Sequence, residues 1–143
     1  MQFFIIRNDF DRVRVSDAIK GIDLKKPHSV EVKEYRKNRS LAQNRLMWMW
    51  VNEIAEHCGY NPEEAAQALD VPSPDDIHEM FKQRLLGTVK REILGDSYQV
   101  ARSTTQLTTA EFTDYLSRIE TAAAMLQITL TKPDDYRFAM MGE

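Results

Sequence analysis

The spacing of apolar positions divides the chain into stretches of period two and stretches of helical period. Gln2 to Arg7 is a short apolar run rich in β-formers, closed by Asn8-Asp9, and predicts a buried strand. Ser29 to Arg36 alternates, with Val30, Val32 and Glu34 on one face and Glu31, Lys33 and Tyr35 on the other, and predicts a second strand. Thr88 to Leu94 and Ser97 to Arg102, joined by Gly95-Asp96, predict two strands across a tight turn. Elsewhere the apolar residues recur every three or four positions. Asp9 or Asp11 caps a helix reaching about Lys20, with Phe10, Val13, Ala18 and Ile19 on its apolar side and Gly21 as its stop.

A long central helix follows. Ser40 with Gln43 three residues on forms an S-x-x-Q capping box, and the helix runs to about His57, with Gly59 ending it. Met47, Trp50, Val51, Ile54 and Cys58 form its core stripe, whereas Leu41, Asn44, Arg45, Trp48 and Asn52 form a separate, more polar one. Asn61-Pro62-Glu63-Glu64 starts a short acidic helix; Ser73 or Asp75 starts another that carries Ile77, Met80, Phe81, Arg84 and Leu85 to Gly87. Thr108 and Glu111 form a second capping box, opening a late helix with Phe112, Tyr115, Leu116, Ile119 and Ala123 on one face. Pro133-Asp134-Asp135 opens a short terminal helix. Short mixed or antiparallel strands with a long central and a late helix place the chain in the α+β class. Its 143 residues suit one domain over 1–143.

Composition changes this picture in one respect. The formal net charge is -3, so nucleic acid is not coated by an overall positive field and any binding must be local. The charge is concentrated: Lys33, Arg36, Lys37, Arg39 and Arg45 face only Glu34 between residues 33 and 45, while Asn61 to Glu79 holds six acids and no Lys or Arg. A basic island running into a capped helix combines side-chain cations with the free N–H groups of a first helical turn near Leu41 to Gln43, a suitable setting for phosphate. Asn44, Arg45 and Trp48 then share one surface, and an exposed indole beside a cation suits a splayed base of single-stranded nucleic acid. The bland alternative is that the indole is core, and with Trp50 two residues away at least one of the pair must be buried.

The string Asn38-Arg39-Ser40-Leu41-Ala42-Gln43-Asn44-Arg45-Leu46-Met47-Trp48 resembles the N-R-S-L-x-Q-N-R-x-x-W signature of the NinB (Orf) recombination proteins of lambdoid bacteriophages. The resemblance extends through the two-strand segment ending in Ser103-Thr104-Thr105 and the helix with Glu111-Phe112 and Leu116. It implies a non-enzymatic recombination mediator that binds single-stranded DNA, acts with the host single-strand-binding protein to assist recombinase loading, and forms a homodimer. By position it implies DNA contact by Gln43, Asn44 and Trp48, with Arg39 and Arg45 as basic partners; Arg36 and Lys37 belong to the same island. Gln106 stands where the family pattern leads to a basic residue, and Arg102 compensates.

Other chemistry is sparse. His28, His57 and His78 lie far apart, and neighbouring His57 and Cys58 diverge by about 100° on a helix, so neither a metal site nor a nucleophile–base pair is expected. A single cysteine leaves no disulfide framework, no Gly-rich phosphate loop occurs, and neither cofactor nor metal is expected. Asp75, Asp76 and Glu79 supply the one alternative enzymatic reading, a metal-dependent DNA nuclease, although acids are favourable in a first helical turn for ordinary reasons. A third reading is a module that only contacts single-strand-binding protein, whose acidic tail suits Lys82, Arg84, Lys90 and Arg91. Met47, Met49, Met80, Met140 and Met141 suit an adaptable interface or simple core filling. No apolar run approaches the ~20 residues that span a bilayer. With no signal-like start, a soluble protein of the bacterial host cytoplasm, without a membrane partner, is expected.

Overall fold

The computed structural model describes residues 2–63 and 70–141. Helix α1 (Asp9–Lys20) starts where the Asn8 side chain accepts the Asp11 N–H at 2.9 Å, so the cap is Asn8 and neither Asp9 nor Asp11, the two acids expected to supply it. Asp11 is instead turned back to accept the Arg7 N–H at 3.0 Å. None of the α1 residues is buried: Phe10 is 74% exposed, and Val13 and Ile19 are exposed too. The apolar side of this helix is thus an outer surface, not the core face that its periodicity predicts.

Helix α2 (Arg39–His57) is the centre of the molecule and packs against α3 (Pro74–Phe81), α4 (Thr109–Met125) and α5 (Tyr136–Met141). Its cap is Asn38, whose carboxamide accepts the Leu41 N–H at 3.0 Å; Ser40 lies inside the first turn. The expected core stripe is buried at Met47, Trp50, Val51 and Ile54, together with Ala42, Leu46, Met49 and Ala55. Cys58, placed on that stripe by spacing alone, is exposed, because the helix has ended there and Gly59 turns away at φ 98°. From the facing helices, Ile77, Phe81, Phe112, Tyr115, Leu116, Ile119 and Ala123 close the core. Met47 and Met49 are buried, and Met80 and Met140 pack partly buried against the same cluster, so these four methionines fill the core.

Local chemistry accounts for the other helix starts. Ser73 and Asp76 bond reciprocally ahead of α3, with Pro74 at the first helical position, and Thr108 and Glu111 do the same ahead of α4. The acidic helix expected from Asn61 lies largely outside the described residues. After α3 the chain widens into a π-type turn over Lys82–Leu86 and leaves through Gly87.

Strands β1 (Thr88–Ile93) and β2 (Asp96–Ala101) pair antiparallel, from Thr88 opposite Ala101 to Ile93 opposite Asp96. Leu94 and Gly95 both take positive φ, 52° and 84°, which gives the connection the twist that a two-residue hairpin needs. Among the described residues this is the whole sheet. The two strands expected at Gln2–Arg7 and Ser29–Arg36 are not laddered. In the first, the Ile5 N–H is satisfied by the Asp134 carboxylate at 2.9 Å and the Arg7 N–H by Asp11, so side chains take the place of a neighbouring strand. In the second, Val30 and Val32 are exposed and only Tyr35 turns inward, toward Phe3 with ring centroids 6.5 Å apart. The α+β class stands, with fewer strands than the alternation predicted.

Candidate nucleic-acid interface

The first turns of α2 and α4 meet through side chains, and this junction decides which residues of the basic segment stay at the surface. The Gln43 Nε2 donates to the Thr109 and Ala139 carbonyls at 3.1 and 3.0 Å and to the Thr113 hydroxyl at 2.9 Å. At 1% exposure Gln43 joins α2, α4 and α5 from within, which removes it from the expected DNA contacts and from the capping role read for it. One turn earlier, an Arg39 terminal nitrogen donates to the same Thr113 hydroxyl at 2.7 Å, leaving the half-buried guanidinium committed to α4.

Arg45 is also engaged. Its guanidinium donates to Asp135 at 2.6 Å and lies 4.0 Å over the Phe3 ring, so it couples α2 to the N-terminal segment and to the start of α5. Of the expected DNA-contacting residues, Arg36, Lys37, Asn44 and Arg102 are exposed. Lys37 reaches over the Phe138 ring at 5.1 Å, and the Arg102 charge lies near enough to Glu111 to help hold that carboxyl below its usual range, an effect led by its bonds to Thr108. The N-terminus of α2 offers less to an anion than expected, since Asn38 takes the Leu41 N–H with its side chain and the Ala42 N–H with its carbonyl at 3.0 Å.

The two indoles separate cleanly. Trp50 is fully buried and its Nε1–H donates to the Thr131 carbonyl at 2.7 Å. Trp48, two residues earlier and so on the other side of the helix, is half-buried on the stripe of exposed Asn44 and Asn52. Its ring meets His78 of α3, with ring centroids 4.8 Å apart and planes tilted by 53°. Burial, then the Lys82 charge, pushes the His78 imidazole below its ordinary pKa, while Glu79 and Asp75 oppose that shift. Sequence spacing could not find His78: nothing in its neighbourhood on α3 marks it as facing α2.

The nuclease candidates take ordinary positions. Asp76 closes the Ser73 capping box, which lowers its pKa, and Glu79 pairs with Lys82 at 2.9 Å. Among the described residues no group of three or more His, Cys, Asp or Glu side chains is arranged to hold a metal ion. Of the residues expected to meet an acidic partner, Arg84, Lys90 and Arg91 are exposed, and Lys82 is half-buried in its pair with Glu79. No helix among the described residues is long and apolar enough to cross a membrane.

Comparison with known proteins follows the same lines. A family model described as NinB protein matches residues 1–68, the span that contains the Asn38–Trp48 string. The chain is 28% identical over 118 residues to the uncharacterized protein YbcN of Escherichia coli (strain K12), covering 78% of this chain and 74% of that protein. A solved structural-genomics structure of NinB superposes with a TM-score of 0.60 at 20% identity, covering 96% of this chain and 98% of that one. The likeness in structure therefore reaches well beyond the residues that the family model matches.

Proposed function

We propose that this chain, whose residues 1–68 match the NinB family model and whose fold is that of a solved NinB structure, is a phage or prophage recombination accessory protein of that family that binds single-stranded DNA on the outer face of α2. The observation that carries the proposal is the partly exposed indole of Trp48, flanked by Asn44 and Asn52 and carried on a helix whose other indole, Trp50, is fully buried. A base stacks on such an indole for about 1–3 kcal/mol, and Arg36, Lys37 and Arg102 are the exposed cations that neutralise its backbone.

The same reading includes two partners. A second copy of the chain covers the apolar side of α1, where Phe10, Val13 and Ile19 are exposed. The host single-strand-binding protein is met by the cations of the hairpin and the turn before it, Arg84, Lys90 and Arg91. The role is that of a non-enzymatic mediator that helps recombinase to load.

The test is a titration of labelled oligothymidylate and of a duplex of equal length, each at several salt concentrations. Tighter binding of the single strand, falling steeply as salt rises, is expected. Equal binding of the two forms, or none, removes the proposal.

A further inference from the structure

We propose that His78 is a positioning residue for single-strand binding: its imidazole braces the indole of Trp48 so that the outer face of the ring is held ready for a nucleobase. The inference rests on the DNA-binding reading of α2 given above. Three observations carry it. The two rings are in contact at a centroid separation of 4.8 Å and a tilt of 53°, and the indole keeps part of its surface in solvent. The backbone that carries the imidazole is anchored, because its helix starts with a complete capping box. Its Nδ1 is buried without a hydrogen-bond partner among the described residues, so polar contacts do not explain why a histidine occupies this place.

Preorganisation supplies the physical reason. An unsupported, half-exposed indole must give up rotamer freedom when a base stacks on it, and a ring already held in place has given it up in advance. The brace works best with the imidazole neutral, since an ammonium-like charge enclosed between α2 and α3 is poorly solvated. Lys82, after the end of α3, opposes protonation, and Glu79 and Asp75 of α3 favour it. Lys82 and Glu79 are themselves paired at 2.9 Å, and α2 presents the indole to the ring.

The experiment compares wild type, Trp48→Ala, His78→Ala and His78→Phe, each checked for folding by near-ultraviolet circular dichroism, with His78→Gln replacing His78→Ala if the latter does not fold. At about pH 8, loss of the imidazole should weaken oligothymidylate binding about three- to tenfold, and His78→Phe should restore it by keeping a ring against the indole. Separately and without DNA, any fall in wild-type tryptophan emission as the imidazolium forms and quenches the indole should come below the ordinary imidazole value of 6.5, and it should vanish in His78→Phe. If Trp48→Ala weakens binding but the His78 variants do not, the brace is wrong and the DNA site stands. Should Trp48→Ala also bind as wild type, both are wrong.

Discussion

The Arg45 guanidinium donates to the Asp135 carboxylate at 2.6 Å across 90 positions of sequence, and that carboxylate is only 4% exposed. Within a motif that looks basic and ready for phosphate, this cation is already spent on the interior. Removing it strands a buried charge, so Arg45→Ala should destabilise the fold by about 3–5 kcal/mol, measured by urea denaturation. A loss of DNA binding in this variant with stability unchanged would show instead that the guanidinium faces the ligand.

Gln43→Ala should act on the fold in the same manner. It removes the donor to the Ala139 carbonyl, while the Thr109 carbonyl keeps the Thr113 hydroxyl, and a buried acceptor left unpaired costs about 1–3 kcal/mol. The expected outcome is a lower melting temperature, with oligothymidylate affinity near wild type when measured well below the transition. Weakened binding at full stability is the contrary result.

The two tryptophans should fail differently. Trp50→Ala empties a fully buried site and removes the donor to Thr131, which should cost about 3–5 kcal/mol of stability. Trp48→Ala should leave the melting temperature closer to wild type and weaken single-strand binding by about 1–3 kcal/mol. Paired thermal melts and binding titrations separate these outcomes.

Acid should loosen the N-terminal segment. Hydrogen bonding from Arg14, and then from the Ile5 backbone, holds the Asp134 carboxyl below its ordinary value of 3.8. A carboxyl with a depressed pKa binds its proton less readily folded than unfolded, so its contribution is complete above the ordinary value and is lost as pH falls through the folded one. Asp134→Asn should lower stability near neutrality and flatten the acid limb of the stability profile. An unchanged limb would mean that the Arg14–Asp134 contact at 2.9 Å does not stabilise the protein.

Assembly is tested on α1. Val13→Glu places a charge in the middle of its exposed apolar side and should convert dimer to monomer in sedimentation velocity while leaving the circular dichroism spectrum unchanged. A wild-type protein that is monomeric at all concentrations removes that part of the proposed function.

Much of the helical framework was legible because its signals are local. The Thr108–Glu111 box, the stop at Gly59 and the buried face of α4 each depend on residues within a few positions of one another. The cap of α2 was misplaced because Asn38 and Ser40 are both good cap residues two positions apart, and sequence does not rank them. The early strands failed for a different reason: alternation describes an extended chain, but the hydrogen bonds of Ile5 go to an aspartate 129 residues away. In the candidate site, spacing put Trp48 and Trp50 on different sides of α2. It could not reveal that Gln43, Arg39 and Arg45 are engaged by Thr109, Thr113, Ala139 and Asp135, since each of those partners comes from the far end of the sequence.

The union of Ile5 and Arg14 with Asp134, and of Arg45 with Asp135, has a consequence for synthesis. As the ribosome delivers the chain, Ile5 emerges 129 residues ahead of the carboxylate that satisfies its backbone. Until then the opening apolar segment has no seat in the native structure and depends on chaperones or on its own solubility to avoid association. The nascent protein can lock its first residues in place only after translation has passed Asp135.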